Sequence, residues 1–390
     1  MLAITLLTLL TAAYAIPLTG NGDDDLIPGK YIVKFSEDIH TSAIQNIKSS
    51  IVAPIDHDYS FLGFNGFAAT LSPDEYTKLQ KSKLVQYIQQ DAIVSVKAIN
   101  DQYNATWGLS RISHLENKNG STYSYDDSAG EGTCAYVIDT GIETDHPEFE
   151  GRAQFLVDLS GENKLLDGLG HGTHVAGTIG SLTYGVAKKT RLFAVKVLDS
   201  DGQGNHASVI AGMQYVANDA KTRAEQCPLG IVVNMSIGGS KSDIVNEAAE
   251  ALLKTPLFLA TASGNDALPA SLASPASSPL LCTIAATTPF DQLSPYSNWG
   301  PLVDLLAPGD DVKSTWLNGS TNVISGTSMA TPHVVGLAAY LLGFGELGVQ
   351  GLCEVMQGMA GEGVVDLGEW QVGTPNLLVW NGVGDELRRG

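Results

Sequence analysis

The chain has little charge and even less positive charge. Only 16% of its 390 residues are charged, and 22 Lys and Arg stand against 42 Asp and Glu, a formal charge of −20. An acid excess of that size excludes the phosphate-neutralising surface that nucleic acid requires, and it repels an anionic membrane. Neither partner is expected. Long apolar runs are also missing beyond the first fifteen residues, so no second hydrophobic segment approaches the roughly 20 residues of a bilayer-spanning helix. Internal repeats, low-complexity stretches and a Pro- or Gly-rich linker are absent too, which excludes a solenoid and argues against a tethered binding module. Cysteines number four, and no two stand at zinc-ligand spacing. Four allow three disulfide pairings, among which the sequence alone does not choose.

The chain does have a leader of a familiar kind. Residues 2–12 are almost wholly apolar and run into Ala13, Tyr14, Ala15, an AxA cleavage signal. This predicts a signal peptide over 1–15, a secreted, extracellular product and, with four cysteines, two disulfides. The next portion predicts a small α+β domain. Residues 30–35 alternate like a strand, Ser72-Pro73-Asp74-Glu75 opens a helix, and residues 93–96 close with another strand.

Three later segments carry chemistry. Cys134, Ala135, Tyr136, Val137 and Ile138 read as a buried parallel strand ending at Asp139-Thr140-Gly141, which puts Asp139 at a carboxyl end, where open α/β sheets place their sites. The loop Asp167-Gly168-Leu169-Gly170 leads into His171 and a run of small and apolar residues in helical period, so His171 opens a helix. Ser328 follows Gly326 and Thr327 and precedes Pro332, with Pro332 expected in a first helical turn, so the hydroxyl stands at a helix N-terminus. A lone serine there would more often be a cap. Asp, His and Ser together can work as a unit: His171 takes the Ser328 proton and returns it to the leaving group, while Asp139 fixes the imidazole tautomer and stabilises the imidazolium. A lipase would present GxSxG and the order Ser, Asp, His; here the serine lies in GTSMA and the order is Asp, His, Ser.

VIDTGIETDHPEF, HGTHVAGTIG and GTSMATPHVVGLAAY resemble the three signature blocks of the subtilase family, within its proteinase K-like group of secreted fungal endopeptidases. The likeness spans about residues 107–378 and includes YGVAKKT, KVLD and GTPNLL. PGKYIVKF, FNGFAATL and VQYIQQDAIVSV resemble the family's inhibitory propeptide. The resemblance implies an α/β fold, a three-layer sandwich around a mostly parallel sheet, preceded by a small α+β propeptide over 16–99, with the peptidase over 100–390. It implies a broadly specific serine endopeptidase acting on proteins and peptides through an acyl-enzyme, as a monomer, made as an autoprocessed precursor with its own propeptide as intramolecular inhibitor.

Further site residues follow from the same likeness. Asn265 would complete the oxyanion hole with the Ser328 backbone N–H. An extended substrate would add itself between residues 198–204, with Gly202 and Gly204, and Ser236, Ile237, Gly238 and Gly239. Ala262, Ser263 and Gly264 would wall the first specificity pocket. With no carboxylate in these segments except Asp199 and Asp201, apolar or aromatic residues are expected at the cleavage site. His206 stands where relatives often carry a tyrosine lid. The family pattern pairs Cys134 with Cys227 and Cys282 with Cys353. It places a structural calcium on the carbonyls of Pro279 and Leu281 and the carboxylate of Asp304, and it implies no catalytic metal. Of four glycosylation sequons, Asn104, Asn119 and Asn318 suit surface loops, whereas Asn234 continues an apolar run and is expected to be buried. A catalytically silent secreted protein of the same fold is the alternative reading, although no triad residue is missing.

Overall fold

The computed structural model describes residues 26–36, 39–92, 99–117, 120–345, 347–368 and 373–383. The chain separates into two compact units, Met1–Val96 and Lys97–Gly390. The signal segment, the expected strand at 93–96 and Asn119 lie outside the described residues.

The smaller unit is an antiparallel sheet with two helices. Strands β1 (Leu26–Phe35), β2 (Ile55–Phe61), β3 (Phe64–Thr70) and β4 (Val85–Ala92) lie in the order β2-β3-β1-β4. Helix α1 (Thr41–Ser49) and helix α2 (Pro73–Gln80) pack their buried Ile44 and Leu79 with Val33, Phe35, Phe67, Ala69 and Leu71. α2 starts where Ser72 and Glu75 form a reciprocal capping box ahead of Pro73, so two of the orphan N–H groups of its first turn are satisfied within four residues.

The larger unit is a three-layer α/β sandwich. Its elements relevant to the site are β5 (Thr133–Asp139), β6 (Ala153–Asp158), α3 (His171–Gly180), β7 (Arg191–Lys196), α4 (His206–Asp219), β8 (Gly230–Met235), α5 (Asp243–Leu252), β9 (Phe258–Ala262), β10 (Cys282–Thr287), β11 (Leu305–Pro308), the hairpin β12 (Val312–Trp316) and β13 (Ser320–Ile324), α6 (Thr327–Leu342), β14 (Gly361–Glu362) and β15 (Leu377–Leu378). Nine strands pair in the order β14-β15-β11-β10-β9-β8-β5-β7-β6, all parallel except the terminal β14. The two-residue period of a strand sorts β5 between two cores. Ala135 and Val137 join Val175, Ala176 and Ile179 of α3 and Val334, Leu337 and Ala338 of α6, while Tyr136 and Ile138 join Met213 and Val216 of α4 and Val245, Ala249 and Leu252 of α5. Because β5 is followed on one side by β7 and on the other by β8, the strand order reverses at its carboxyl end, and a crevice opens there.

Two disulfides tie this unit, Cys134–Cys227 and Cys282–Cys353. One expectation needs correcting. α6 begins at Thr327, so Pro332 is its sixth residue and sits inside the helix instead of its first turn. The N–H that proline lacks would have met the carbonyl of Ser328, four residues back. That carbonyl accepts instead from the Ser236 hydroxyl at 2.8 Å, which replaces the hydrogen bond that the internal proline forgoes.

α3 is held against the β12–β13 hairpin by hydroxyls, Ser314 Oγ donating to the His174 carbonyl and Thr315 Oγ1 to that of Thr173, both at 2.8 Å. Gly177 makes this approach possible, since a Cβ there would lie 2.1 Å from Thr315 Oγ1 and 2.3 Å from Ser314 Oγ. Gly177→Ala is therefore expected to cost about 1–3 kcal/mol by overpacking, read as a lower denaturant midpoint at unchanged slope. An unchanged midpoint would show that the hairpin yields freely.

Candidate active site

Asp139 ends β5 with no solvent exposure. Its Oδ1 accepts from its neighbour's backbone, Thr140 N–H, at 2.7 Å and from His171 Nδ1 at 2.7 Å. The imidazole is thereby fixed with Nδ1 as donor and Nε2 left to act as a base. Burial opposes a charge on His171, but the Asp139 carboxylate, through its charge and its hydrogen bond, and the charge of Asp167 outweigh it, so the pKa of His171 is raised. Asp167 holds both backbone segments in register. Its Oδ1 accepts from Thr140 Oγ1 (2.8 Å), Leu169 N–H (3.1 Å) and Gly170 N–H (2.8 Å), and its Oδ2 from Thr173 N–H (2.9 Å) and Thr173 Oγ1 (2.6 Å). Thr140 Oγ1 in turn accepts from Gly172 N–H at 2.9 Å. Gly170, the residue before α3, takes a φ of +102° under the Trp316 ring, where a Cβ would lie 2.6 Å from ring carbon.

Ser328 is the second residue of α6, where helical N–H groups have no partner within the helix and the dipole favours negative charge. Its hydroxyl donates to the Ser236 carbonyl at 2.9 Å, while the Ser236 hydroxyl donates to the Ser328 carbonyl at 2.8 Å. A serine hydroxyl has one proton to donate, and here it goes to Ser236 and not to His171, although both Ser328 and His171 line the same cleft. Such bonds commonly reach working geometry only in the Michaelis complex. Behind Ser236, Asn234 Nδ2 donates to its hydroxyl at 2.9 Å from a fully buried position.

Asn265 lies in the loop after β9. Its Oδ1 accepts from the N–H and the hydroxyl of Thr327, both at 2.9 Å, which commits the oxygen and leaves the NH2 to the cleft. Asn298 positions that loop: its Oδ1 accepts from Asp266 N–H and Leu268 N–H, and its Nδ2 donates to the Ser263 carbonyl at 2.9 Å. Gly264 passes so close to it, at a φ of +110°, that a Cβ would meet Asn298 Nδ2 at 2.3 Å.

A cleft of about 490 Å³ joins His171, Asn265 and Ser328 to Leu169, Leu198, Gly202, Gly204, His206, Ser236, Ile237 and Gly238. A smaller recess of about 240 Å³ is walled by Gly238, Gly239, Ala262, Gly264, Asp266, Ala273 and Ser328. Ser263 is not in that wall. Alternation along the extended chain turns Ala262 and Gly264 to the recess and buries Ser263 on the other side, where its hydroxyl donates to the Asn298 carbonyl at 3.2 Å. Sequence reasoning missed Asn298, which lies outside any local pattern that would mark it, and it met Asp167 only as the first residue of the loop before His171 and Asp266 only as the residue after Asn265, with no role for either.

Asp304 and the turn bearing Pro279 and Leu281 border a separate cavity of about 300 Å³ with Glu354 and Gln357. Thr283 N–H (2.8 Å) and Gln357 Nε2 (3.3 Å) donate to the Asp304 carboxyl. Burial is not fully offset by these neutral donors, and the Glu354 charge adds to it, so the pKa of Asp304 is pushed up to about 6. Oxygen ligands beside an under-compensated carboxylate suit a hard cation. The adjacent Cys282 and Cys353 sulfurs are committed to their disulfide and offer no thiolate. Asn104 and Asn318 are exposed, and Asn234 is fully buried. Among the described residues, no helix is long and apolar enough to cross a membrane.

The Subtilase family model matches residues 130–347 and that of Peptidase inhibitor I9 matches residues 30–97. The chain is 48% identical over 390 residues to a cuticle-degrading protease of Metarhizium anisopliae, covering 97% of this chain and 98% of that protein. It is 55% identical over 299 residues to proteinase T of Parengyodontium album, covering 77% and 99%. The crystal structure of a cold-adapted subtilisin-like serine proteinase superposes with a TM-score of 0.66 at 39% identity, over 71% of this chain and 98% of the other.

The geometry makes a prediction about His171 that needs no substrate. Asp139→Asn removes a facing charge and weakens the bond to Nδ1, so the imidazole titration followed by proton NMR is expected to move to lower pH, with Asp167→Asn producing a smaller movement in the same direction. An unmoved titration in Asp139→Asn would mean that the two side chains are not coupled.

Proposed function

This chain belongs to the subtilase family of serine endopeptidases, and on that premise we propose that it is a secreted, broadly specific endopeptidase released from a self-cleaving precursor. One observation carries the reading: His171 Nδ1 lies 2.7 Å from the buried Asp139 Oδ1, and the same imidazole lines a single cleft with Ser328, Asn265 and residues of the two segments 198–204 and 236–239.

In the proposed reaction, a peptide lies between residues 198–204 and 236–239. Ser328 Oγ attacks the scissile carbonyl as His171 Nε2 takes its proton. The oxyanion is met by the Ser328 N–H and the Asn265 NH2, donors that act only as charge develops. His171 then passes the proton to the leaving amine, and a water, activated by the same imidazole, opens the acyl-enzyme. His171 must be neutral to begin, so its raised pKa places the acid limb of activity above that of an ordinary histidine. The recess, walled mostly by glycine, alanine and backbone, supports broad preference with apolar or aromatic residues at the cleavage site, and Asp266 adds a carboxylate to that wall which the sequence-based expectation did not include.

The unit that matches the I9 inhibitor family supports a propeptide over 16–99 that inhibits in cis until it is cut, following removal of a signal peptide over 1–15. Monomeric action, glycans on Asn104 and Asn318, and a structural calcium held by Asp304 and the carbonyls of Pro279 and Leu281 complete the proposal. The calcium would neutralise a buried carboxylate and take no part in the chemistry.

Two experiments test this. Secreted wild type and Ser328→Ala are compared by intact mass and by casein digestion: the wild type is expected to shorten to a chain beginning near residues 97–101 and to digest casein, and the variant to stay full length and inert. A folded wild type that neither shortens nor digests would point to a silent binding protein. For the metal, EDTA is expected to lower the Tm of the mature wild type and calcium to restore it, with neither reagent moving Asp304→Asn. An equal EDTA effect on the variant would place the ion elsewhere.

A further inference from the structure

Lys196, at the carboxyl end of β7, has no solvent exposure, and no step of the proposed reaction uses it. Its ammonium has three partners. It donates to the Thr140 carbonyl at 3.0 Å and to the Leu198 carbonyl at 2.6 Å, and it forms an ion pair with Glu162 Oε2 at 3.1 Å. These belong to three different segments: the residue after Asp139, the start of the edge 198–204, and the loop that precedes His171. Glu162 extends the link. Its two carboxylate oxygens accept from the Ser200 hydroxyl at 2.8 and 3.0 Å, so the edge is held at residue 200 as well as at residue 198. The Ser200 hydroxyl and the Lys196 ammonium keep the Glu162 carboxyl below its usual range. The edge and the loop are also in direct contact, since a Cβ on Gly168 would lie 2.0 Å from Ser200 Oγ and one on Gly202 would lie 3.0 Å from Leu169.

A buried ammonium is tolerated only when its donors are matched, and two of these three partners are backbone carbonyls that a substitution cannot remove. The unit therefore fixes distances between main-chain segments. Thr140 stands for the triad side, because its own N–H is bonded to Asp139. Leu198 and Ser200 stand for the substrate side, because Leu198, Gly202 and Gly204 line the cleft.

We infer that Lys196 and Glu162 are positioning residues that set the register of the substrate edge 198–204 against the catalytic triad. The inference rests on the proteolytic reading above and adds the device by which residues remote from the scissile bond contribute. A peptide long enough to lie along the edge converts that binding into orientation at the reacting carbonyl, whereas a single blocked residue cannot reach it.

The test compares mature wild type, Glu162→Gln, Ser200→Ala and Lys196→Met, each normalised by active-site titration. The substrates are a tetrapeptide amide and a single blocked amino-acid amide with the same residue at the scissile bond. Glu162→Gln is expected to lower kcat/KM for the tetrapeptide by about tenfold, inside the ~100-fold that misplacement can produce, while the short amide changes by less than about twofold. Ser200→Ala, which leaves the ion pair intact, is expected to change the long substrate alone and by less. Lys196→Met follows Glu162→Gln if it folds, and if it does not, the other two variants decide. Equal losses on both substrates, or no loss on either, would overturn the proposal, because a merely structural role moves both together. A wild type inert on both amides would overturn the proteolytic reading and this inference with it, an outcome distinct from an active wild type whose long-to-short ratio survives Glu162→Gln.

Discussion

Two carboxylates with almost no access to water, those of Asp139 and Asp167, set the geometry on which the site depends. A buried anion is costly unless donors surround it. Here the donors are the local backbone and the side chains of Thr140, His171 and Thr173, so the end of β5 and the start of α3 can take only the arrangement that serves both anions. Asp139 Oδ2 has no partner among the described residues, and an incompletely compensated carboxylate is the neighbour that most favours an imidazolium. Burial of the imidazole itself works against its charge, and the Asp139 charge and hydrogen bond, with the charge of Asp167, are what raise the pKa of His171 against that desolvation.

The start of α6 solves a related problem. Ser328, the nucleophile of the proposed reaction, stands at a helix N-terminus with no intrahelical partner for its N–H, and the backbone beneath must still be held. Thr327 is pinned from outside by Asn265, and the carbonyl that Pro332 leaves free is taken by Ser236. One side chain thus serves two ends: the oxygen of the Asn265 amide fixes the helix start, and its NH2 is left to the cleft, where the proposed reaction uses it. Ser236 likewise serves two ends, since its hydroxyl donates to the Ser328 carbonyl while its own carbonyl accepts from the Ser328 hydroxyl.

What the sequence makes legible is what depends on neighbours in the chain. The apolar run before Asp139, the glycine loop before His171 and the capping pair Ser72 and Glu75 each carry their structural cause within a few residues. A parallel sheet buried on both faces follows from such runs, as does the placing of functional groups at strand ends. What escaped depends on contacts distant in sequence. Asn298 clamps the Asn265 loop from some thirty residues away, and the partner that makes Pro332 tolerable inside a helix lies on β8's exit. Ser263 was misplaced for a subtler reason: its neighbours on both sides do face the recess, and only the pleat, set by pairing with β10, shows that it cannot.

The two walls of the cleft are supported by different means, and this bears on how the enzyme would respond to change. The wall at 236–239 leaves β8 directly, is hydrogen-bonded to the nucleophile's own residue and pairs with 273–274 through Gly239 and Ser240, so its position is set by main chain and by the reaction centre itself. The opposite wall turns on Asp199, whose carboxylate accepts from Asp201 N–H and Gln203 N–H, and is anchored below by Lys196 and Glu162. It is a loop with polar side-chain supports, three of them carboxylate or ammonium groups. Loss of the Glu162 charge there leaves the buried Lys196 ammonium short of a partner, whereas the first wall rests on no ion pair of that kind among the described residues. Each wall is thus tied to a different part of the site, the first to Ser328 through its own main chain and the second to the residue after Asp139 through the Lys196 ammonium on the Thr140 and Leu198 carbonyls.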